Sequence, residues 1–111
     1  MTHLSAYKDQ LSQLCQAYPI ARMYLFGSAT DSKTFSDTSD IDLIVQFEEL
    51  DLPPEDKGQL YWDLLAELEN LFGRKVDLLK DKQFNNPYFR QQVESQKVLI
   101  YDRSKSKEVL V

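Results

Sequence analysis

Gly27-Ser28, Asp40-Ile41-Asp42 and Asp77 are the residues whose types and spacing can do chemistry together. Asp40 and Asp42 flank Ile41 at the head of Ile41–Phe47 (IDLIVQF), a stretch rich in β-branched residues that reads as a strand. Side chains alternate faces along a strand, so the two carboxylates point the same way, roughly 6–7 Å apart at Cβ. Asp is otherwise depleted in strands. Carboxylates packed together repel, and some must take up protons unless a cation sits between them. Hard oxygen donors select Mg²⁺ or Mn²⁺ over zinc. Such a set can hold two metal ions about 3.5–4 Å apart, which clamp the attacking and leaving oxygens of a phosphoryl displacement. Gly27 permits close approach and unusual dihedrals at a strand end. Exposed N–H groups in such a turn bind anions, and Ser28 adds a hydroxyl donor. A triphosphate would then bridge the turn and the metals.

Taken singly these signals are weak. A lone Asp-x-Asp often ends a turn or faces solvent, and Asp77 alone reads as a solvent-facing strand residue. What raises their specificity is the set of elements that must position them. Leu4, Tyr7, Leu11, Leu14 and Tyr18 recur at steps of three and four, one stripe of an amphipathic helix that ends near Pro19. Ile20–Phe26 (IARMYLF) reads as a buried strand, and the polar stretch from Ser28 to Ser39 as a connection. After the second strand, Ile41–Phe47, comes a helix over Glu55–Phe72. Its apolar face is Tyr61, Leu64, Leu65, Leu68, Leu71 and Phe72, with Gly73 as the stop. Lys75–Leu79 reads as a third strand. Asn86-Pro87 opens a short helix through about Ser95, and Val98–Tyr101 is a fourth strand.

The order is α-β-β-α-β-α-β. A short connection makes strands one and two antiparallel neighbours. A helical crossover makes strands two and three parallel. The expected fold class is α/β (α+β), a small mixed β-sheet with helices mainly on one face. This topology places the end of strand one, the start of strand two and the first half of strand three at one rim. Gly27, Ser28, Asp40, Asp42 and Asp77 would therefore converge there.

At 111 residues the chain is expected to form one domain with a single core, over residues 1–103, with a flexible tail at 104–111. Hydrophobic residues make up 42%, which argues against a disordered chain. The net charge of −5 makes a general phosphate-backbone binder a poor candidate, so no direct nucleic-acid contact is expected. It suits a basic protein partner. The single Cys15 excludes an internal disulfide, and no Cys/His cluster has zinc spacing. No membrane span or secretory signal is visible, so the expected location is cytoplasmic.

With these residues in place, the chain resembles the minimal nucleotidyltransferases of the polymerase-β-like nucleotidyltransferase superfamily. The resemblance rests on LFGS (Leu25–Ser28), SDIDLIV (Ser39–Val45) and KVDLL (Lys75–Leu79), with eleven residues between Ser28 and Asp40. It implies the nucleotidyltransferase fold and a Mg²⁺-dependent transfer of a nucleoside monophosphate from an NTP, here ATP, to a hydroxyl. By that likeness Asp40 and Asp42 bind the metals, a set able to hold two ions. Asp77 is the third carboxylate, and Gly27 and Ser28 hold the β,γ-phosphates. Small members resemble antitoxins that adenylylate a tyrosine of a HEPN-type ribonuclease toxin, which is the partner implied. One departure is notable: many members carry an Arg after Gly-Ser, whereas this chain reads Ala29-Thr30-Asp31-Ser32-Lys33. Lys33 is the substitute cation, though an ammonium does not reproduce a bidentate guanidinium. Two other readings stand beside the transferase. One is a non-catalytic antitoxin that neutralises by binding; the other is an ATP-binding regulatory module. The small size implies that the acceptor comes from a partner protein or a homodimer.

Among the remaining residues, Trp62 falls off the main helical stripe. It is expected to be partly buried against another element, with an interface anchor as the alternative. Phe84, Tyr88 and Phe89 are expected to pack on the sheet. Cys15 is expected to be buried and inert. The acidic run Glu48, Glu49, Asp51, Glu55 and Asp56 reads as a solvated loop.

Overall fold

The computed structural model describes residues 4–26, 40–80, 86–106, 108 and 109. A short 3₁₀ turn, Ser5–Tyr7, leads into helix α1, Lys8–Ala17. There follow strands β1 (Ile20–Phe26) and β2 (Ile41–Phe47), helix α2 (Pro54–Phe72), strand β3 (Val76–Lys80), helix α3 (Pro87–Gln96) and strand β4 (Val98–Asp102). The expected order of elements is therefore present. The bounds of β1 and β2 coincide with the apolar runs that define them, because each run is flanked by a breaker or by charge.

The four strands form one mixed sheet in the order β3-β2-β1-β4. β1 is antiparallel to both β2 and β4, and β2 is parallel to β3. One face of the sheet carries most of the core. Met23, Leu25, Ile41, Leu43, Val45, Val76 and Leu78 pack there against Leu11 and Cys15 of α1 and Leu64, Leu68 and Phe72 of α2. The opposite face is lightly covered: Val93 of α3 packs on Ile44, with Tyr24, Phe26 and Leu79 partly buried around them. Among the described residues, helices thus sit mainly on one face, with α3 on the other.

Local chemistry explains the element ends. Gly73 follows α2 in the left-handed region, φ 65°, and its N–H donates to the Glu69 carbonyl at 2.9 Å. A residue without Cβ adopts that conformation without steric cost. At the start of α3 the Asn86 side-chain oxygen accepts the Tyr88 N–H at 2.9 Å, the N-cap role its sequence position implies.

Two expectations fail. Trp62 is 62% exposed rather than packed against another element. Tyr88 is 84% exposed rather than seated on the sheet; the side chains of Phe84 and Phe89 lie outside the described residues. In the C-terminal segment, Val109 is buried and its N–H donates to Ser12 Oγ at 2.9 Å. Upstream, the Arg103 guanidinium donates to the carbonyls of Ile20, Cys15 and Tyr18 at 2.9, 3.0 and 2.7 Å. These are carbonyls at and just beyond the C-terminal end of α1, where a cation is favourably placed. An apolar residue that reaches the core pins the chain around it, which local polarity does not reveal.

Candidate active site

The rim where acidic residues gather is built by strand register. Phe26, the last residue of β1, pairs with Asp42 near the start of β2. Asp42 in turn pairs with Asp77 on β3. Cross-strand partners share a face, so Asp42 and Asp77 stand side by side, with Phe26 beside them. Their neighbours Ile41, Leu43, Val76 and Leu78 point the other way into the core and are buried. That burial fixes the register, since a slip of one residue would drive the carboxylates into the core.

Asp42 is half-buried, whereas Asp77 and Asp40 are exposed. The Asp42 carboxyl is pushed up to about 6. Burial is the largest cause; a hydrogen bond with the Asp77 side chain, the charge of Asp77 and the charge of Asp40 add to it. The two carboxyl groups are therefore close enough to share a proton. Asp40 precedes β2 and acts on Asp42 through charge. Among the described residues no group of three or more His, Cys, Asp or Glu draws together tightly enough to cage a metal ion. The pair nevertheless fits a hard divalent cation. Mg²⁺ is usually held by one or two carboxylates, with substrate phosphates and water completing the shell. Of the other sequence-predicted residues, Gly27 and Ser28 follow directly on Phe26, and they, like Lys33, lie outside the described residues.

Sequence reasoning missed the residues that brace β3. The Tyr61 hydroxyl of α2 donates to the Leu78 carbonyl at 2.5 Å, and Glu69 accepts the Val76 N–H at 3.2 Å. Two α2 side chains thus occupy backbone groups on either side of Asp77. The Tyr61 phenol is raised, first by burial and then by the charge of Asp77. In the sequence Tyr61 is one member of an apolar stripe, and nothing there signals the hydroxyl's partner. On the carboxylate face, Lys97 lies 4.2 Å above the Tyr24 ring and pairs with Glu94 at 3.1 Å. Tyr24 is opposite Ile44, two residues along from Asp42. No sequence signal marks Lys97, because its position depends on how α3 folds back over the sheet.

Comparisons with known proteins place this arrangement. Residues 9–106 match the family described as polymerase beta, nucleotidyltransferase, and the chain belongs to that nucleotidyltransferase family. A relative from Methanocaldococcus jannaschii, named as a candidate protein adenylyltransferase, is 34% identical over 105 residues, covering 91% of this chain and 99% of the relative. A solved structure described as a minimal nucleotidyltransferase shares 29% identity with a TM-score of 0.59, over 86% of this chain and 90% of that one. Two toxin–antitoxin complexes share the fold. One, solved with AMP-PNP, has a TM-score of 0.64 at 22% identity, over 89% of this chain and 76% of that chain. The other, a tri-AMPylated Shewanella oneidensis HEPN toxin with its MNT antitoxin, has a TM-score of 0.58 at 21% identity, over 87% of this chain and 71% of that chain. No helix among the described residues is long and apolar enough to cross a membrane.

Proposed function

We propose that this chain is a Mg²⁺-dependent adenylyltransferase that moves AMP from ATP to a tyrosine hydroxyl of a HEPN-type toxin, and so acts in the cytoplasm as its antitoxin. The observation that carries the reading is the pairing of Asp42 with Asp77 across parallel strands. Family membership and the described M. jannaschii relative support nucleotidyl transfer to protein. The toxin–antitoxin complexes, one with AMP-PNP and one with an AMPylated HEPN toxin, support the nucleotide and the partner.

In this proposal Asp40, Asp42 and Asp77 hold the metal. A bound divalent cation would supply charge neutralisation at the transferring phosphoryl group. A bound cation would favour the charged form of Asp42, which burial and the neighbouring carboxylates disfavour. Gly27, Ser28 and Lys33 bind the β,γ-phosphates. Asp77, the more exposed of the pair, accepts the proton of the acceptor hydroxyl. The hydroxyl oxygen bonds to the α-phosphorus, the bond from that phosphorus to the bridging oxygen breaks, and pyrophosphate leaves.

The test is incubation of the purified chain with Mg²⁺, α-labelled ATP and a HEPN-type partner. Label on the partner is the expected result, lost in Asp40→Ala/Asp42→Ala while the circular dichroism spectrum is unchanged. An unlabelled partner in the presence of folded wild-type protein refutes the reading. The binding-only antitoxin is favoured by one feature, the absence of Arg from Ala29–Lys33. Under it, the double variant neutralises the partner as well as the wild type does.

A further inference from the structure

The register that sets Asp42 beside Asp77 leads on, across the rim, to a cation. Asp77 pairs with Asp42, and Asp42 with Phe26. On the far side of β1, Leu25 pairs with Val98 of the antiparallel β4, so one further step sets Lys97 level with Phe26. Asp77, Asp42, Phe26 and Lys97 thus make one row across the sheet. Two strand spacings, about 10 Å, separate the backbone positions of Asp42 and Lys97. The Lys97 ammonium is on the carboxylate face, since it lies 4.2 Å from the centre of the Tyr24 ring. Tyr24 and Phe26 both belong to the cluster around Ile44 on that face.

Lys97 is held in place. Its side chain is only 16% exposed, and its ammonium sits between the Tyr24 ring and the Glu94 carboxylate, 3.1 Å away. A buried stem with a fixed head loses little freedom when it takes up a ligand. Glu94 is 55% exposed, and an exposed pair three residues apart is weak enough for a stronger anion to displace it. The charges that act on Asp42 are those of Asp77 and Asp40. The carboxylates and the ammonium are therefore separate poles of one face. A phosphate chain carrying a divalent cation matches both, with the metal ion at the carboxylates and the distal negative charge at the ammonium.

We infer that Lys97 binds the β- and γ-phosphates of the nucleotide, and the pyrophosphate formed from them, two strands across from the Asp42–Asp77 pair. The inference rests on the proposed transfer from ATP, but the phosphate site is read by binding alone. The full chain is titrated by calorimetry with pyrophosphate, ATP and AMP, each in Mg²⁺. Lys97→Gln is expected to raise the Kd for pyrophosphate and for ATP about tenfold and to leave that for AMP unchanged. Lys97→Arg is expected to retain most of the affinity. Glu94→Gln is expected to tighten pyrophosphate binding about threefold, because it removes the carboxylate that competes for the ammonium. A lysine that merely braced α3 would give no such gain. Lys8→Gln, the same loss of charge on α1 across the sheet, is expected to change none of the three affinities. Absence of pyrophosphate binding overturns the inference, and so do equal Kd values for wild type and Lys97→Gln, an equal loss of AMP affinity, or weaker binding by Glu94→Gln. Pyrophosphate binding that depends on Lys97, without AMP transfer to a HEPN-type partner, refutes the catalytic reading and supports the phosphate site. Transfer with an ATP affinity indifferent to Lys97 refutes the phosphate site alone.

Discussion

Replacing Asp42 by Asn is expected to make the metal-free protein more stable at neutral pH while destroying its proposed activity. Folding raises the Asp42 carboxyl from 3.8 to about 6, chiefly by burial and then through Asp77 and Asp40. Between those two values the folded chain holds more protons than the unfolded one. Linkage then requires that this group's contribution to stability fall as pH rises from about 4 to about 6. At about 1.4 kcal/mol per tenfold change in proton affinity, the ceiling on the penalty at pH 7 is about 3 kcal/mol. Asp42 is only half-buried, so solvent screening lowers the realistic figure to about 1–2 kcal/mol. Asn removes the charge and can still donate a hydrogen bond to Asp77. Urea unfolding of both proteins in chelator is the assay, at neutral pH and at pH near 3.5, below both carboxyl values. Asp42→Asn is expected to gain about 1–2 kcal/mol at neutral pH and nothing at the acid pH. Added Mg²⁺ is expected to stabilise the wild type and not the variant. A variant that is less stable at neutral pH, or whose gain persists undiminished in acid, refutes the account of a strained carboxylate pair.

Other expectations follow from the packing. Val109→Ala is expected to cost about 1–3 kcal/mol in urea unfolding, because Val109 is buried against α1 and its loss leaves a cavity. Gly73→Ala is expected to cost about 1 kcal/mol by thermal unfolding, since φ 65° strains any residue with a Cβ. The Cys15 thiol, buried and pushed up to about 12, is expected to react with a disulfide reagent only as fast as the chain unfolds. Rapid labelling of the native protein would contradict that placement.

Much of the architecture is written locally. Apolar runs between breakers mark β1 and β2, a stripe of leucines marks α2, and Gly73 and Asn86 mark helix ends through their own backbone and side-chain chemistry. The convergence of Asp42 and Asp77 was also legible, because a short connection and a helical crossover leave few ways to arrange three strands. Periodicity reports only which face of an element is apolar. It does not report what lies against that face, or whether an off-stripe residue such as Trp62 meets a neighbour.

The chain's sequence alone therefore determined the kinds of element, their order and the set of acids that belong to one rim. Tertiary structure decided the register that sets Asp42 opposite Asp77, the bracing of β3 by Tyr61 and Glu69, and the approach of Lys97 to Tyr24. It also decided that Arg103 closes the end of α1 and that Val109 returns to the core. The physical reason is range. Propensity, capping and alternation act over a few residues, whereas these contacts join segments far apart along the chain and exist only once the sheet and helices have packed.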